Sequence, residues 1–274
     1  MKTELLKINP KFITLLKKTR LYIPLKNFKD NVLARYSSAY KATQTRRIIL
    51  YDKFLKEGDL CFDLGANTGD EARNLLDMGM KVISVEPVEY CIKYMNKRFK
   101  KDIKKGNMTI ERAIVGNEIG EGVVNVCTAN AMSSVDNNYG KIMKERVECS
   151  NLEWNEKEKV PMITLNSLCE KYGIPKFVKI DVEGYEYEVL KNLKYKIPAM
   201  SIEFYLDFGE DYKKITRDCI RKMESLGNYE FNITLREQML LLYEDWKSGD
   251  EIIQTLDLLN KEIIFGDIFM RLKR

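Results

Sequence analysis

Hydrophobic and polar positions along this chain switch between two periods. Short apolar runs of strand character occur at 60–63, 81–85, 108–113, 160–164, 176–181 and 199–204. Most lead into a stretch with helical spacing, at 70–78, 88–99, 165–172 and 185–192, and a long one ends at Leu226. Glycines at 79, 173 and 227 stop three of these helices. Regular strand–helix alternation predicts a mostly parallel sheet with helices on both faces. A further strand is expected at 229–234, a helical excursion at 236–262, and a last strand at 267–272, antiparallel to its neighbours. Residues 262–265 read either as the end of that excursion or as the start of the strand. The alternation fails over 117–160. There 123–127 reads as a strand, 131–134 as a polar turn, and 139–159 as a charged stretch without a period. A hairpin and loop lying over the site, facing the substrate, is the expectation.

The start of the chain is different in kind. Asn9-Pro10 reads as a helix cap and first turn, leading to Lys17, Lys18 and Arg20 before Pro24. A weaker helical stretch covers 30–40, and a stronger one covers 43–56, closed by Gly58. Residues 1–50 hold 12 Lys+Arg against 2 Asp+Glu, so the chain's net +5 comes from its beginning. We divide the chain into a basic helical N-terminal extension, 1–42, and one large α/β domain, 43–274. The extension suits contact with an anionic membrane surface, a nucleic acid or an acidic glycan; solvated lysine faces on covering helices are the alternative. With 45% hydrophobic residues, the main domain can bury a sizeable core. No apolar run reaches the ~18–20 residues of a membrane span, and no signal-peptide core opens the chain. The six cysteines are scattered without a C-x-x-C pair and read as reduced thiols. A cytoplasmic protein is expected, peripheral at the inner membrane face if the extension docks there. There is no histidine, so acid–base work falls to carboxylates, lysines or tyrosines.

Two stretches carry candidate chemistry. The first strand runs through Asp63 into Gly65-Ala66-Asn67-Thr68-Gly69 and then a helix. Glycines let the backbone turn tightly and approach a ligand, and the helix start offers unpaired N–H groups. The spacing is G-x-x-x-G with an acid two residues ahead, not the G-x-G-x-x-G of nicotinamide-binding loops. That pattern suits the zwitterionic end of S-adenosyl-L-methionine (SAM), with Asp63 facing its ammonium; an ordinary strand-to-helix turn is the alternative. Glu86-Pro87 ends the second strand 23 residues after Asp63, where an acid can take both ribose hydroxyls. Arg112 and Ala113 sit at the third strand's tip, where an adenine edge would lie. The second stretch is Lys179-Ile180-Asp181-Val182-Glu183-Gly184. Alternation puts Lys179 and Asp181 on one strand face, and a charge buried there needs a partner. Glu203 can join them from the next strand. A structural ion pair is the competing reading, and Asp181 with Glu183 also offers a pair of ligands for Mg²⁺, although no metal site is expected.

Phe62-Asp63-Leu64-Gly65-Ala66-Asn67-Thr68-Gly69, Glu86-Pro87, Ala113-Ile114-Val115-Gly116, Ser133-Ser134, Thr164-Leu165, Val178 to Gly184 and Phe265-Gly266-Asp267-Ile268-Phe269 together resemble the FkbM family of SAM-dependent methyltransferases over about 58–271. One departure is Asn166, where the family more often has Asp. The resemblance implies a Rossmann-like class I methyltransferase fold with a seven-stranded sheet and SAM as cofactor. It also implies O-methylation of a hydroxyl on a sugar, glycan or other small natural product. Its implied cofactor contacts are Asp63, Gly65, Ala66, Asn67, Thr68, Gly69, Glu86, Pro87, Arg112, Ala113 and Asp181. Asp181 is the first choice for base or acceptor orientation, with Glu183 and Glu203 in reserve, Lys179 tuning the charge, and Ser133 and Ser134 facing substrate. Two other functions stay open: an RNA methyltransferase, although no RNA-binding module is readable, and a SAM-binding interaction protein without catalysis.

Overall fold

The computed structural model describes residues 38–128, 132–145, 152–206, 208–236, 238–259 and 265–273. The helix expected after Pro10, most of the 30–40 stretch, Cys149 and residues 262–264 lie outside them. Helix α1, Ser38–Tyr51, runs across the expected boundary at 42/43 and sits five residues earlier than the 43–56 expectation. Its end is fixed by burial, because Leu50 and Tyr51 are both in the core.

The main sheet is built from β1 (Leu60–Leu64), β2 (Lys81–Val85), β3 (Met108–Glu111), β7 (Phe177–Ile180), β8 (Ala199–Tyr205), β9 (Tyr229–Leu235) and β10 (Phe265–Leu272). Their order is β3-β2-β1-β7-β8-β10-β9. All neighbours are parallel except β10, which pairs antiparallel with both β8 and β9. Helices α2 (Asp70–Asp77) and α3 (Glu89–Arg98), with α1, pack on one face through Leu50, Leu75, Met95 and Phe99. On the other face lie α6 (Leu165–Tyr172), α7 (Glu186–Leu190), α8 (Glu210–Leu226) and α9 (Gly249–Leu258), contributing Leu168, Leu190, Ile220 and Ile252. A short helix α4, Lys100–Lys104, follows α3.

Between β3 and α6 the chain leaves the main sheet. Strands β4 (Ile114–Gly116), β5 (Gly120–Val126) and β6 (Glu156–Thr164) form a second sheet in the order β4-β6-β5. The expected strand at 160–164 thus begins four residues earlier, at Glu156. Its first half, Glu156–Lys159, is charged and pairs with the opposite strand of a hairpin, for example Lys159 to Glu121 at 2.5 Å. Such residues satisfy the backbone ladder without showing the apolar alternation by which strands are recognised. Helix α5, Tyr139–Lys144, lies in the same insertion. The helical excursion expected at 236–262 is helical only over Gly249–Leu258, where Ser248 and Glu251 form a reciprocal cap. The residues before it run along β9, with bridges Thr234–Leu241 and Phe231–Lys247 that cover the sheet edge.

Register gives one sheet face an unusual polar row. Asp63 lies opposite Lys179, Lys179 opposite Ser201, and Glu203 opposite Asp267. Beneath α1 and α2 this row meets Glu71, which pairs with Arg47 at 3.2 Å. Among the described residues, no helix is long and apolar enough to cross a membrane. The five described cysteines are free and buried.

Candidate active site

A cavity of about 250 Å³ opens at the carboxyl ends of β1, β2, β7 and β8. This is where an open α/β sheet exposes loop backbone to a ligand. Gly65, Asn67, Glu86, Pro87 and Ala113 line one side, and Ser133, Asp181, Glu183 and Glu203 line the other. Val85, Ile114 and Val124 supply an apolar wall.

The glycine loop is shaped by close approach. Gly65 has φ +82°, and a Cβ there would overlap the carbonyl oxygen of Asp181. Only glycine lets β1's exit lie against β7's exit at that spot. Gly69, at φ +78°, starts α2, and a side chain there would strike Phe99. Asn67 is left-handed at φ 48°. Its N–H donates to Glu86 Oε2 at 2.8 Å, while Val88 N–H donates to Glu86 Oε1 at 2.9 Å. Glu86 therefore braces the loop and the start of α3, and each of its oxygens keeps a lone pair for a ligand. Burial pushes its carboxyl up to about 7, against the pull of those two N–H donors.

Several expected contact residues stand elsewhere. Asp63 is 1% exposed and lies beneath the loop, facing Lys179 and accepting a hydrogen bond from the Ala72 backbone. Among the described residues its Oδ2 has no hydrogen-bond partner, and burial raises its carboxyl to about 7. Ala66, Thr68 and Gly69 build the loop without lining the cavity. Arg112 is drawn off the cavity wall: its guanidinium donates to Glu158 at 2.9 Å and to the Pro87 carbonyl at 3.3 Å. Ser134 is buried, and its hydroxyl donates to the Glu183 carbonyl at 2.7 Å, holding the loop rather than facing the cavity. Asn166 caps a neighbouring turn, accepting from Lys194 N at 3.0 Å and donating to Asn192 O at 2.7 Å.

The acidic stretch does converge. Lys179 Nζ is 2.5 Å from Asp181 Oδ2. Glu183 takes a left-handed φ of 57°, a strained state for a non-glycine residue that turns its carboxylate inward. Tyr205 Oη lies 2.8 Å from Glu183 Oε2 and 2.7 Å from Glu203 Oε2. Tyr139 donates to the same Glu183 oxygen, and Glu203 is hydrogen-bonded to Asp181. Neither tyrosine was expected from the sequence. Tyr205 sits two residues after Glu203 on β8, so the strand period was a signal for it; Tyr139 lies in the aperiodic insertion and had none. A third unexpected residue is Glu186, whose buried Oε1 accepts from Val182 N and Gly184 N and so fixes the turn that carries Glu183.

The FkbM methyltransferase domain matches residues 63–263. The chain belongs to that family. This FkbM methyltransferase matches no curated protein. Among solved structures it is similar to a TehB-like SAM-dependent methyltransferase from Corynebacterium glutamicum, at 12% identity and TM-score 0.45, covering 93% of this chain and 100% of that one. It is also similar to a precorrin-6y C5,15-methyltransferase from Geobacter metallireducens, at 10% identity and TM-score 0.44, covering 83% and 87%. A putative RNA methyltransferase from Pyrococcus horikoshii gives 10% identity and TM-score 0.41, with 85% of each chain covered. Likenesses this distant carry no information on the acceptor. The cofactor of the family is SAM, and the cavity's donor set suits it. Glu86 offers a carboxylate to hydroxyl groups, and the valine–isoleucine wall offers an apolar surface to a base.

The cluster of the FkbM methyltransferase has a proton inventory that follows from counting. Tyr205 has one O–H and two carboxyl neighbours, so one of those contacts needs a proton from a carboxyl. The Glu203–Asp181 contact needs another. Both are supplied if Glu183 and Glu203 are neutral and Asp181 is ionised. Electrostatics points the same way. Burial and the Asp181 charge push Glu183 up to about 8, and burial with Asp181 and Glu183 puts Glu203 well above its usual range. Burial opposes ionisation of Asp181 too, but Lys179 and the Glu203 hydrogen bond outweigh it and hold Asp181 below the usual carboxylate value. Burial likewise opposes the Lys179 charge, and Asp181 with the surrounding acids keeps it protonated. The chain of donors then runs one way, from Glu183 through Tyr205 and Glu203 to Asp181. One oxygen from each of Asp181, Glu183 and Glu203 lies within 4.8 Å of the others. Lys179 and two carboxyl protons balance that charge.

Proposed function

We propose that this protein transfers a methyl group from SAM to a hydroxyl of a sugar, glycan or other small natural product. The observation that carries the reading is the carboxyl of Asp181 on the cavity wall, 2.5 Å from Lys179 Nζ, in a chain without histidine. Bound SAM supplies an activated methyl group on a good leaving group. The protein's share is alignment and removal of one proton. Asp181 faces the cavity with Lys179 and Glu203 on its other sides, so its remaining lone pair accepts the hydroxyl proton as the oxygen–carbon bond forms. Lys179 keeps Asp181 ionised before the step. Glu183 and Tyr139 shape the cavity wall beside it, and Ser133 lines the same wall.

The test is turnover on a panel of sugars and polyols, read as S-adenosylhomocysteine (SAH) formed and as the mass gain of one methylene on the acceptor. Asp181→Asn should lower kcat by about 10²–10⁴-fold, the range for loss of a positioned base, while SAH affinity stays within a few-fold. A methyl found on nitrogen or on RNA, or an Asp181→Asn variant as fast as wild type, would overturn the reading.

A further inference from the structure

A second and larger cavity, about 730 Å³, lies beside the first. Val135 lines both, and Gly184 at its edge directly follows Glu183. Its volume falls in the range of about 300–1,000 Å³ usual for small-molecule sites, which the first cavity does not reach. Two observations make it a formed site instead of a surface dent. Gly184 is left-handed at φ +95°, and a Cβ there would sit 2.9 Å from the Tyr212 ring, so the glycine allows α8 to close against the loop. Tyr212 Oη donates to Asp136 Oδ2 at 2.7 Å, and Asn138 N donates to Asp136 Oδ1 at 2.8 Å, which ties the insertion to α8 across the cavity. Phe208 and Tyr212, packed edge-to-face at 4.9 Å, give it an aromatic wall.

We propose that this cavity holds the next sugar ring of a glycan acceptor whose reacting hydroxyl lies at Asp181. The inference rests on the O-methylation reading and adds the kind of acceptor: a saccharide of at least two rings with uncharged hydroxyls. The half-buried Tyr185 ring lines the cavity and suits the C–H face of a sugar ring, the buried Phe208 and Tyr212 back the wall, and Asp211, Lys141 and the Asn137 amide surround it with exposed acceptors and donors. Asp136 and Asp211 outnumber Lys141, so the wall repels a phosphodiester chain. Nucleic-acid sites depend on the opposite balance, with Lys and Arg meeting phosphates.

The experiment is saturation-transfer NMR on the full chain with saturating SAH, using methyl lactoside, methyl cellobioside and methyl chitobioside, with the parent methyl monosaccharides for comparison. At least one disaccharide should bind at millimolar or better affinity and more tightly than its monosaccharide. Tyr185→Ala and Asp211→Ala, both on the second cavity only, should weaken it fivefold or more and leave SAH affinity unchanged by calorimetry. Failure of all three disaccharides to bind overturns the inference while SAH binding persists, and so does binding that neither substitution moves. Salt-sensitive binding of a decauridylate that Lys141→Ala abolishes would overturn it in favour of RNA. Loss of SAH binding by the folded wild type would instead sink the underlying methyltransferase reading.

Discussion

Replacing Glu183 with Gln tests the proton inventory directly. Glutamine has the shape of a neutral glutamic acid and cannot ionise. In the wild type, the Glu183 carboxyl is raised from 4.5 to about 8 by burial and by Asp181. A group raised on folding adds stability that is complete below its unfolded value and is lost as pH climbs through the folded one. The window is therefore pH 4.5 to 8. Each unit of difference is worth about 1.4 kcal/mol, so the ceiling is about 5 kcal/mol. Glu183 is half-buried at the rim of a cavity, and screening by water there leaves on the order of 1–2 kcal/mol. For a chain of this size, each 1 kcal/mol moves Tm by about 2–4 °C. The assay is thermal unfolding of both proteins at pH 5.5 and pH 8.5 by circular dichroism. The Tm of the Gln variant, relative to wild type at the same pH, should rise by about 2–8 °C between the two conditions. A difference that stays constant, or that falls with pH, would show that Glu183 is ionised throughout and that the directional donor chain is wrong.

Gly65→Ala should lose SAH binding and destabilise the fold well beyond the ~1–2 kcal/mol of a left-handed alanine, because its Cβ meets the Asp181 carbonyl oxygen. Gly58→Ala has a similar φ of +88° and open space around it, so thermal melts should show the backbone penalty alone. Glu86→Ala strands the N–H groups of Asn67 and Val88 and should cost about 1–3 kcal/mol for each left without water, with SAH affinity falling at least tenfold by calorimetry. If the ribose hydroxyls take Glu86 as an anion, its carboxyl, raised to about 7 without ligand, should release protons on SAH binding at pH 6.5, read as a dependence of binding enthalpy on buffer ionisation heat that vanishes at pH 8.5. Once an acceptor is in hand, kcat should be nearly flat from pH 6 to 7.5 if Asp181 is the base; a tenfold rise per unit up to about 8 would move that role to Glu183.

Much of the site was legible because its residues lie at strand ends, where the switch from a two-residue to a helical period is visible. The Asp63–Gly69 loop, Glu86 and the Lys179–Glu183 run all fall at such switches, and Gly65, Glu86, Asp181 and Glu183 line one cavity. What the pattern could not show was register. Asp63 precedes the glycine loop and reads as a ligand contact, yet pairing across strands sets it opposite Lys179 in the sheet's polar row. Arg112 sits at a strand tip, but its partner Glu158 is 46 residues away on a strand whose charged sequence hid it. Tyr139 meets Glu183 across 44 residues. Contacts of that separation depend on how the insertion folds back, and no local period records them.

The cluster also explains how the chain can do base chemistry without histidine. Several carboxyls share one region of low water content, and like charges so close cannot all ionise. A single cation decides which one does. Lys179 is on the same strand face as Asp181 and 2.5 Å from it, whereas among the described residues Glu183 meets two phenols and no cation. The phenols stabilise the Glu183 anion by hydrogen bonds, but the nearby Asp181 charge and burial prevail. Two carboxyls separated by one residue are thus pushed in opposite directions, one into the anion that can accept a proton and one into the neutral acid that cannot. Where environments drive neighbouring acids apart in this way, the ionised partner is the acceptor. Here the ionised partner is Asp181, the group that takes the hydroxyl proton on the O-methylation reading, and the neutral Glu203 beside it keeps the carboxylate from having to share Lys179 with a second anion.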